Sequence, residues 1–146
     1  MLRLIRKLEA PQPADDGLTL SYDQRLKSRQ RVTLDSGRKA GLFLERGSTL
    51  RDGDLLTDEA GTTVRVRAAR ESVSTVRCDD ALLLARACYH LGNRHVPLQI
   101  GADFVRYAHD PVLDDLVGRL GLPVTVERAA FEPEPGAYEG HGKDHH

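Results

Sequence analysis

The sequence predicts an α+β protein made of a small all-β N-terminal domain, a ferredoxin-like βαββαβ domain and a flexible His-bearing tail. Three observations lead to this prediction. The first half consists of short segments of alternating apolar and polar residues, separated by Gly and Asp turns. The second half contains two helical apolar stripes, each flanked by strand-like segments. The last residues are polar and contain Pro, Gly and His.

The segments of the first half are taken in chain order. Period-2 alternation predicts strands over 18–22, 31–34, 39–45, 55–56 and 63–67. Turn signals separate them at 35–37, 51–54 and 59–61, each of which contains Gly. Since no stretch before residue 79 keeps a helical period, this half is predicted to be all β.

The second half begins with a strand over 74–78 and a helix that Asp79 and Asp80 can cap. Gly92 is expected to end that helix. Its stripe has the spacing i, i+3, i+4 and i+7, at Leu84, Ala87, Cys88 and Leu91. Strands over 96–100 and 104–107 should follow.

A second helix begins at the Asp110 cap, with Pro111 at the first position, where a missing N–H costs nothing. Gly121 and Pro123 stop it. Its stripe consists of Leu113, Leu116, Val117 and Leu120. A last strand over 122–127 completes βαββαβ, the ferredoxin-like order.

These elements predict three parts: 1–72, 73–131 and 132–146. Residues after Phe131 are expected not to pack, because Glu132-Pro133-Glu134-Pro135-Gly136 is stiff and polar.

Composition and charge limit the classes of function that the chain can have. At 146 residues with 40% hydrophobic content, the chain can bury a core, and its net charge of −1 gives no general attraction to nucleic acid or anionic lipid. No apolar run approaches the ~20 residues that span a bilayer, and charge interrupts the N-terminal apolar residues. Cys78 and Cys88 form no Cys-x-x-Cys pair, so a cytoplasmic protein with reduced thiols is expected.

Basic residues concentrate at Arg25, Lys27, Arg29 and Arg31, which are expected to form a solvated face, with a partner-docking patch as the alternative.

The histidines carry the functional signal. His95 lies between the first predicted helix and the next strand, and His109 lies where a strand meets a helix. His141, His145 and His146 close the chain. Neutral imidazole nitrogens bind late divalent metals. A packed or capping role is the alternative for His95 and His109, and a solvated tail or cloning remnant is the alternative for the last three.

The combination resembles the UreE family of urease accessory nickel metallochaperones. The matching features are Gly92-Asn93-Arg94-His95, then His109-Asp110 with Val112-Leu113-Asp114-Asp115, and the His-bearing tail. The resemblance extends over nearly the whole chain and is weakest in residues 1–40. The family often has His-x-His where this chain has His109 and Pro111, so that auxiliary site is incomplete.

The resemblance implies a protein that is not an enzyme. Its cargo would be Ni²⁺, with Zn²⁺ or Cu²⁺ able to bind the same site. His95 would bind nickel at a homodimer interface, because a two-fold axis beside it supplies a second imidazole. His109 and the tail histidines would be further ligands. The implied partners are the urease accessory GTPase, UreG, and the urease apoprotein, with no nucleic acid or membrane partner.

Two alternatives belong to other classes. The N-terminal domain is similar to a peptide-binding domain of Hsp40-type chaperones, so one is a peptide-binding adaptor with structural histidines. The other is a small metal-dependent hydrolase. The sequence contains no nucleophile elbow, no His-Glu-x-x-His and no phosphate-binding loop, so it offers no motif for catalysis or GTP binding.

Overall fold

The computed structural model describes residues 1–136. The chain divides into two compact units, one over residues 1–69 and one from residue 70 onward.

In residues 1–69, seven strands form two sheets. The strands are β1 (Leu2–Leu4), β2 (Arg6–Leu8), β3 (Asp16–Leu20), β4 (Arg29–Thr33), β5 (Lys39–Phe43), β6 (Leu55–Thr57) and β7 (Thr63–Ala68). One sheet has the order β1-β5-β4 and the other the order β2-β6-β7-β3. Both sheets contribute to one buried cluster, which includes Leu4, Leu18, Leu42 and Val66. The predicted all-β character is confirmed for this unit, apart from one short helix.

That helix is α1 (Tyr22–Arg25), and it replaces the end of the strand predicted over 18–22. Ser21 caps it: its Oγ accepts from the Gln24 N–H at 3.3 Å, and the Ser21 N–H donates to Gln24 Oε1 at 2.9 Å. This reciprocal pair stops β3 at Leu20. Arg25, at the end of the helix, is 1% exposed and donates from Nη1 to the Leu20 carbonyl. Its charge therefore does not belong to an exposed basic face.

The second unit contains β8 (Arg70–Arg77), α2 (Ala81–Gly92), β9 (Gln99–Ile100), β10 (Phe104–Ala108), α3 (Pro111–Arg119) and β11 (Thr125–Ala130). Its sheet has the order β11-β8-β10-β9, and every adjacent pair is antiparallel. This confirms the predicted ferredoxin-like βαββαβ arrangement. The apolar stripes of both helices join sheet residues in one core, including Leu84, Leu91, Val105, Leu113 and Val117.

Three of the four strands of the second unit start at a different residue from the one predicted. Strand β8 starts at Arg70 rather than 74, because Arg70 pairs with Ala130 of β11. Strand β9 covers two residues instead of 96–100, since Pro97 has no N–H for a ladder. Strand β11 begins at Thr125 rather than 122, because the N–H of Leu122 still bonds to the end of α3.

The chain continues to pack beyond Phe131, contrary to expectation. The Glu132 N–H donates to Gln99 Oε1 at 3.0 Å, and the Glu134 N–H donates to the Leu98 carbonyl at 2.6 Å. Pro133 between them is buried. The acceptors are available because β9 is short and lies at the sheet edge. Residues 137–146, with His141, His145 and His146, lie outside the described part of the chain.

Within residues 1–136, no helix has the length and apolar character needed to cross a membrane.

Candidate metal centre

His95 lies just beyond the C-terminal end of α2. The helix is capped at its start by Asp80, whose Oδ1 accepts from the Leu82 and Leu83 N–H groups. Past its end, the N–H of His95 donates to the Gly92 carbonyl at 3.0 Å. His95 itself is exposed to solvent.

The backbone of His95 is left-handed, with φ of 59°. Among residues 1–136, no other residue besides Gly has a positive φ. A side chain at such a position costs about 1–2 kcal/mol, because Cβ approaches the following carbonyl oxygen. Gly92 is the last helical residue, as predicted, but the positive φ that usually favours Gly at a helix end occurs at His95 instead. The chain therefore keeps a histidine where Gly would be less strained, which is typical of functional positions.

An exposed apolar stripe lies on α2, the helix that leads into this loop. Leu82 and Tyr89 are 60% and 66% exposed, and their spacing of seven residues places them on one helix face. The buried residues of the helix, Leu84 and Leu91 among them, occupy the opposite side. His90 is exposed and its ring meets the Tyr89 ring edge-on. Exposed large apolar side chains on one face are typical of a protein contact surface.

His109 belongs to a polar network at the start of α3. Its Nδ1 lies 3.2 Å from Asp114 Oδ2 and 3.1 Å from Ser74 Oγ. The Tyr107 hydroxyl donates to Asp114 Oδ1 at 2.6 Å. Burial, and then the adjacent Asp114 carboxylate, raise the pKa of Tyr107 above its usual range, so the phenol keeps its proton and remains a donor. The side chain of His109 is 34% exposed.

This network lacks the geometry of a nucleophilic hydrolase. In a catalytic triad the serine and the carboxylate contact opposite nitrogens of the imidazole: one nitrogen takes the serine proton, and the carboxylate at the other orients the ring and stabilises the imidazolium. Here Ser74 and Asp114 both contact Nδ1. Ser74 is also fully buried. A proton relay from Ser74 through His109 is therefore not available.

The two cysteines are poorly suited as ligands. Burial raises the pKa of the Cys88 thiol, which disfavours the thiolate that binds metal. The Cys78 thiol donates to the Asp80 carbonyl at 3.5 Å.

The described part of the chain holds no cluster of three or more His, Cys, Asp or Glu side chains arranged for a metal ion. His95 and His109 therefore do not belong to a complete site in residues 1–136 of a single chain. The geometry leaves each as an exposed or half-exposed imidazole that needs further ligands from elsewhere.

Sequence reasoning missed Asp114. The sequence presents Asp114 and Asp115 only as part of the family motif, and Asp115 is an exposed residue that pairs with Arg119. Asp114 instead contacts Tyr107 and His109. The available signal was spacing, because the position before a helix cap and the fourth helical position are close enough for their side chains to touch, as apolar pairs there often do.

These observations define a class of protein: a two-unit α+β chain that exposes imidazoles on a ferredoxin-like unit and has no catalytic triad around His109. Comparison with known proteins identifies the family. Residues 1–69 match the N-terminal domain of the UreE urease accessory protein, and residues 71–146 match its C-terminal domain. The chain belongs to the UreE family of urease accessory proteins.

Individual relatives agree over nearly the full length. The chain is 63% identical to the urease accessory protein UreE of Alkalilimnicola ehrlichii over 140 residues, which cover 96% of this chain and 86% of that protein. It is 59% identical to UreE of Pseudomonas putida strain W619, covering 95% and 87%. For UreE of Citrobacter koseri the identity is 53%, covering 100% and 97%.

Proposed function

We propose that this protein is a nickel-binding metallochaperone that delivers Ni²⁺ during assembly of the urease metallocentre. Membership of a family of urease accessory proteins supports the role in urease maturation. Imidazole is a suitable ligand for Ni²⁺, and Zn²⁺ or Cu²⁺ would compete for the same nitrogens. Nickel here is the cargo, so a site that binds it reversibly serves the function better than a closed one.

The principal ligand in this proposal is His95, shared across a homodimer. The observation that carries it is an exposed imidazole on strained backbone without a ligand cluster around it in residues 1–136. A two-fold axis beside His95 would bring two copies to one ion. The stripe formed by Leu82 and Tyr89 supports this arrangement, because burying it would favour association through the helix that leads to His95.

His109 is proposed as a peripheral ligand, and His141, His145 and His146 as ligands that complete the shell. The accessory GTPase and the urease apoprotein are the proposed recipients, reached in the cytoplasm. No enzymatic activity of its own is proposed for the chain.

The test is a nickel titration by calorimetry combined with light scattering for the mass in solution. We expect one tightly bound ion per dimer, lost in His95→Ala although the dimer remains. His90→Ala is the matched control, since it removes an exposed histidine from the same helix end and should leave the tight site intact. One tight ion per chain, or a tight site that survives in His95→Ala, would refute the shared site.

The apolar stripe provides an independent test. Leu82→Asp should give a monomer that loses the tight site although His95 is unchanged, because a buried unpaired carboxylate opposes association. Leu26→Asp is the control, an exposed apolar residue in the first unit. A dimeric Leu82→Asp protein with normal nickel binding would show that α2 is not the dimer surface. Delivery itself is tested by urease activation from apoprotein with the accessory GTPase, which the loaded wild type should support and His95→Ala should not.

A further inference from the structure

The hydrogen bonds around His109 determine which nitrogen of its ring can bind a metal ion. An ionised carboxylate only accepts hydrogen bonds, so the Nδ1 that faces Asp114 Oδ2 at 3.2 Å must carry the proton. In a neutral imidazole the other nitrogen, Nε2, then keeps the lone pair. A metal ligand requires that lone pair.

We propose that Asp114 is a positioning residue for metal binding: it holds His109 in the Nδ1–H tautomer, so that Nε2 is the nitrogen offered to the ion. This rests on the proposed function, in which His109 is a peripheral nickel ligand. Metal-binding histidines commonly donate their second ring N–H to a carboxylate, which fixes both the tautomer and the ring orientation.

Further hydrogen bonds hold Asp114 and His109 in place. The Tyr107 hydroxyl holds Asp114 Oδ1 at 2.6 Å, which leaves Oδ2 for the imidazole. The Asp114 N–H bonds to the Asp110 carbonyl at 2.9 Å within the first turn of α3. The His109 N–H bonds to the Ser72 carbonyl of β8 at 3.1 Å. The carboxylate and the ring are thus anchored separately before any ion arrives, which lowers the ordering cost of binding.

Ser74 completes the arrangement. Its fully buried hydroxyl lies 3.1 Å from His109 Nδ1. A hydroxyl oxygen can accept a hydrogen bond as a carboxylate does, so both neighbours of Nδ1 are compatible with a proton on that nitrogen.

The tautomer is measured directly, without metal, from the imidazole ¹⁵N signals of histidine-labelled protein at a pH where the ring is neutral. A protonated nitrogen and one with a free lone pair give well-separated signals. The neutral side chain of histidine in water prefers the proton on Nε2, so an Nδ1–H signal for His109 would itself report the contact with Asp114.

Two variants separate positioning from folding. Asp114→Ala alone would leave the buried Tyr107 hydroxyl without its acceptor, so the change is made together with Tyr107→Phe, and Tyr107→Phe alone is the matched control. We expect Nδ1–H in the wild type and in Tyr107→Phe, and a shift toward Nε2–H in the double variant. The amide spectrum of the metal-free protein verifies that each variant is folded.

Nickel binding is then measured on the same variants. The double variant should bind the His109-dependent nickel about 10- to 100-fold more weakly, the usual effect of removing the partner of a ligating histidine. In a His109→Ala background the same change should have no further effect, because the ring on which Asp114 acts is gone.

The outcomes separate the two proposals. A wild-type His109 in the Nε2–H tautomer, or a tautomer that does not change without Asp114, overturns the positioning role whatever nickel does. Nickel binding that is unaffected in His109→Ala overturns it together with the ligand role of His109. Failure of the dimer-shared site would appear separately, as an unaffected His95→Ala.

Discussion

Replacing His95 by Gly should stabilise the metal-free protein while it removes the tight nickel site. The backbone of His95 has φ of 59°, a conformation that costs a residue with a Cβ about 1–2 kcal/mol. Gly loses about 0.5–1 kcal/mol more chain entropy on folding than Ala. The difference predicts that His95→Gly is more stable than His95→Ala by up to about 1.5 kcal/mol.

His90 supplies the matched control five residues earlier. It lies inside α2, where Gly is about 1 kcal/mol less favourable than Ala. His90→Gly should therefore be less stable than His90→Ala, which is the opposite order to that at His95. The same chemical exchange thus has opposite signs at two exposed histidines, and only the backbone conformation distinguishes them.

The assay is urea unfolding of the four metal-free variants, followed by circular dichroism, with nickel calorimetry on the same samples. Metal must be absent because a ligand that binds only the folded state adds its own stabilisation. If His95→Gly is less stable than His95→Ala, the left-handed backbone is not what limits stability at this position. If it still binds nickel tightly, His95 is not the principal ligand.

Three further predictions concern the tail and pH. Deleting 137–146 should lower nickel capacity without changing stability in urea, whereas deleting 132–146 should cost about 1–3 kcal/mol, because it removes two hydrogen bonds of about 0.5–1.5 kcal/mol each. Nickel binding, followed by calorimetry at several pH values, should weaken on acidification through about pH 6–7, since protons compete for imidazole nitrogens with a reference pKa of about 6.5. The hydrogen bond from the Ser36 hydroxyl lowers the pKa of Asp16 below its ordinary value, so folding favours the carboxylate; its stabilisation is present above the unfolded pKa and is lost as pH falls through the lowered one. In Asp16→Asn the free energy of unfolding of the first unit should therefore fall less steeply on acidification, as measured by urea unfolding at a series of pH values.

Each of these predictions has a clear contrary result. Equal stability of the two truncations would mean that the segment after Phe131 contributes nothing to folding. A nickel-binding midpoint near pH 4, the reference range of aspartate, would point to carboxylate ligands instead of His95. If the free energy of unfolding of Asp16→Asn falls on acidification as steeply as that of the wild type, other groups cause the acid sensitivity of the first unit. Asp23→Asn is the control, because it removes a different carboxylate from the same unit.

Local sequence rules accounted for much of the second unit. The stripe of Leu84, Ala87 and Leu91 predicted α2, and the Asp110-Pro111 pair predicted the first residue of α3, because helix periodicity and capping depend only on residues within a turn or two. The βαββαβ arrangement also followed, since element order restricts the ways in which such a unit can bury its apolar faces. The UreE resemblance was likewise carried by short motifs.

Other features depended on contacts between residues distant in the chain. Strand β8 begins at Arg70 because Ala130 pairs with it, and residues 132–134 pack because β9 leaves acceptors at the sheet edge. No local pattern reports such a pairing.

The same distinction applies to the site. The sequence by itself determined which residues carry imidazole, and it placed His95 after a helix and His109 before one. Only the tertiary structure decided that His95 has left-handed backbone and that Ser74 and Asp114 both contact Nδ1 of His109. The physical reason is that hydrogen-bond geometry at Nδ1 is set by packing β8 and β10 against the start of α3. Ser74 comes to the ring from a strand 35 residues earlier in the chain.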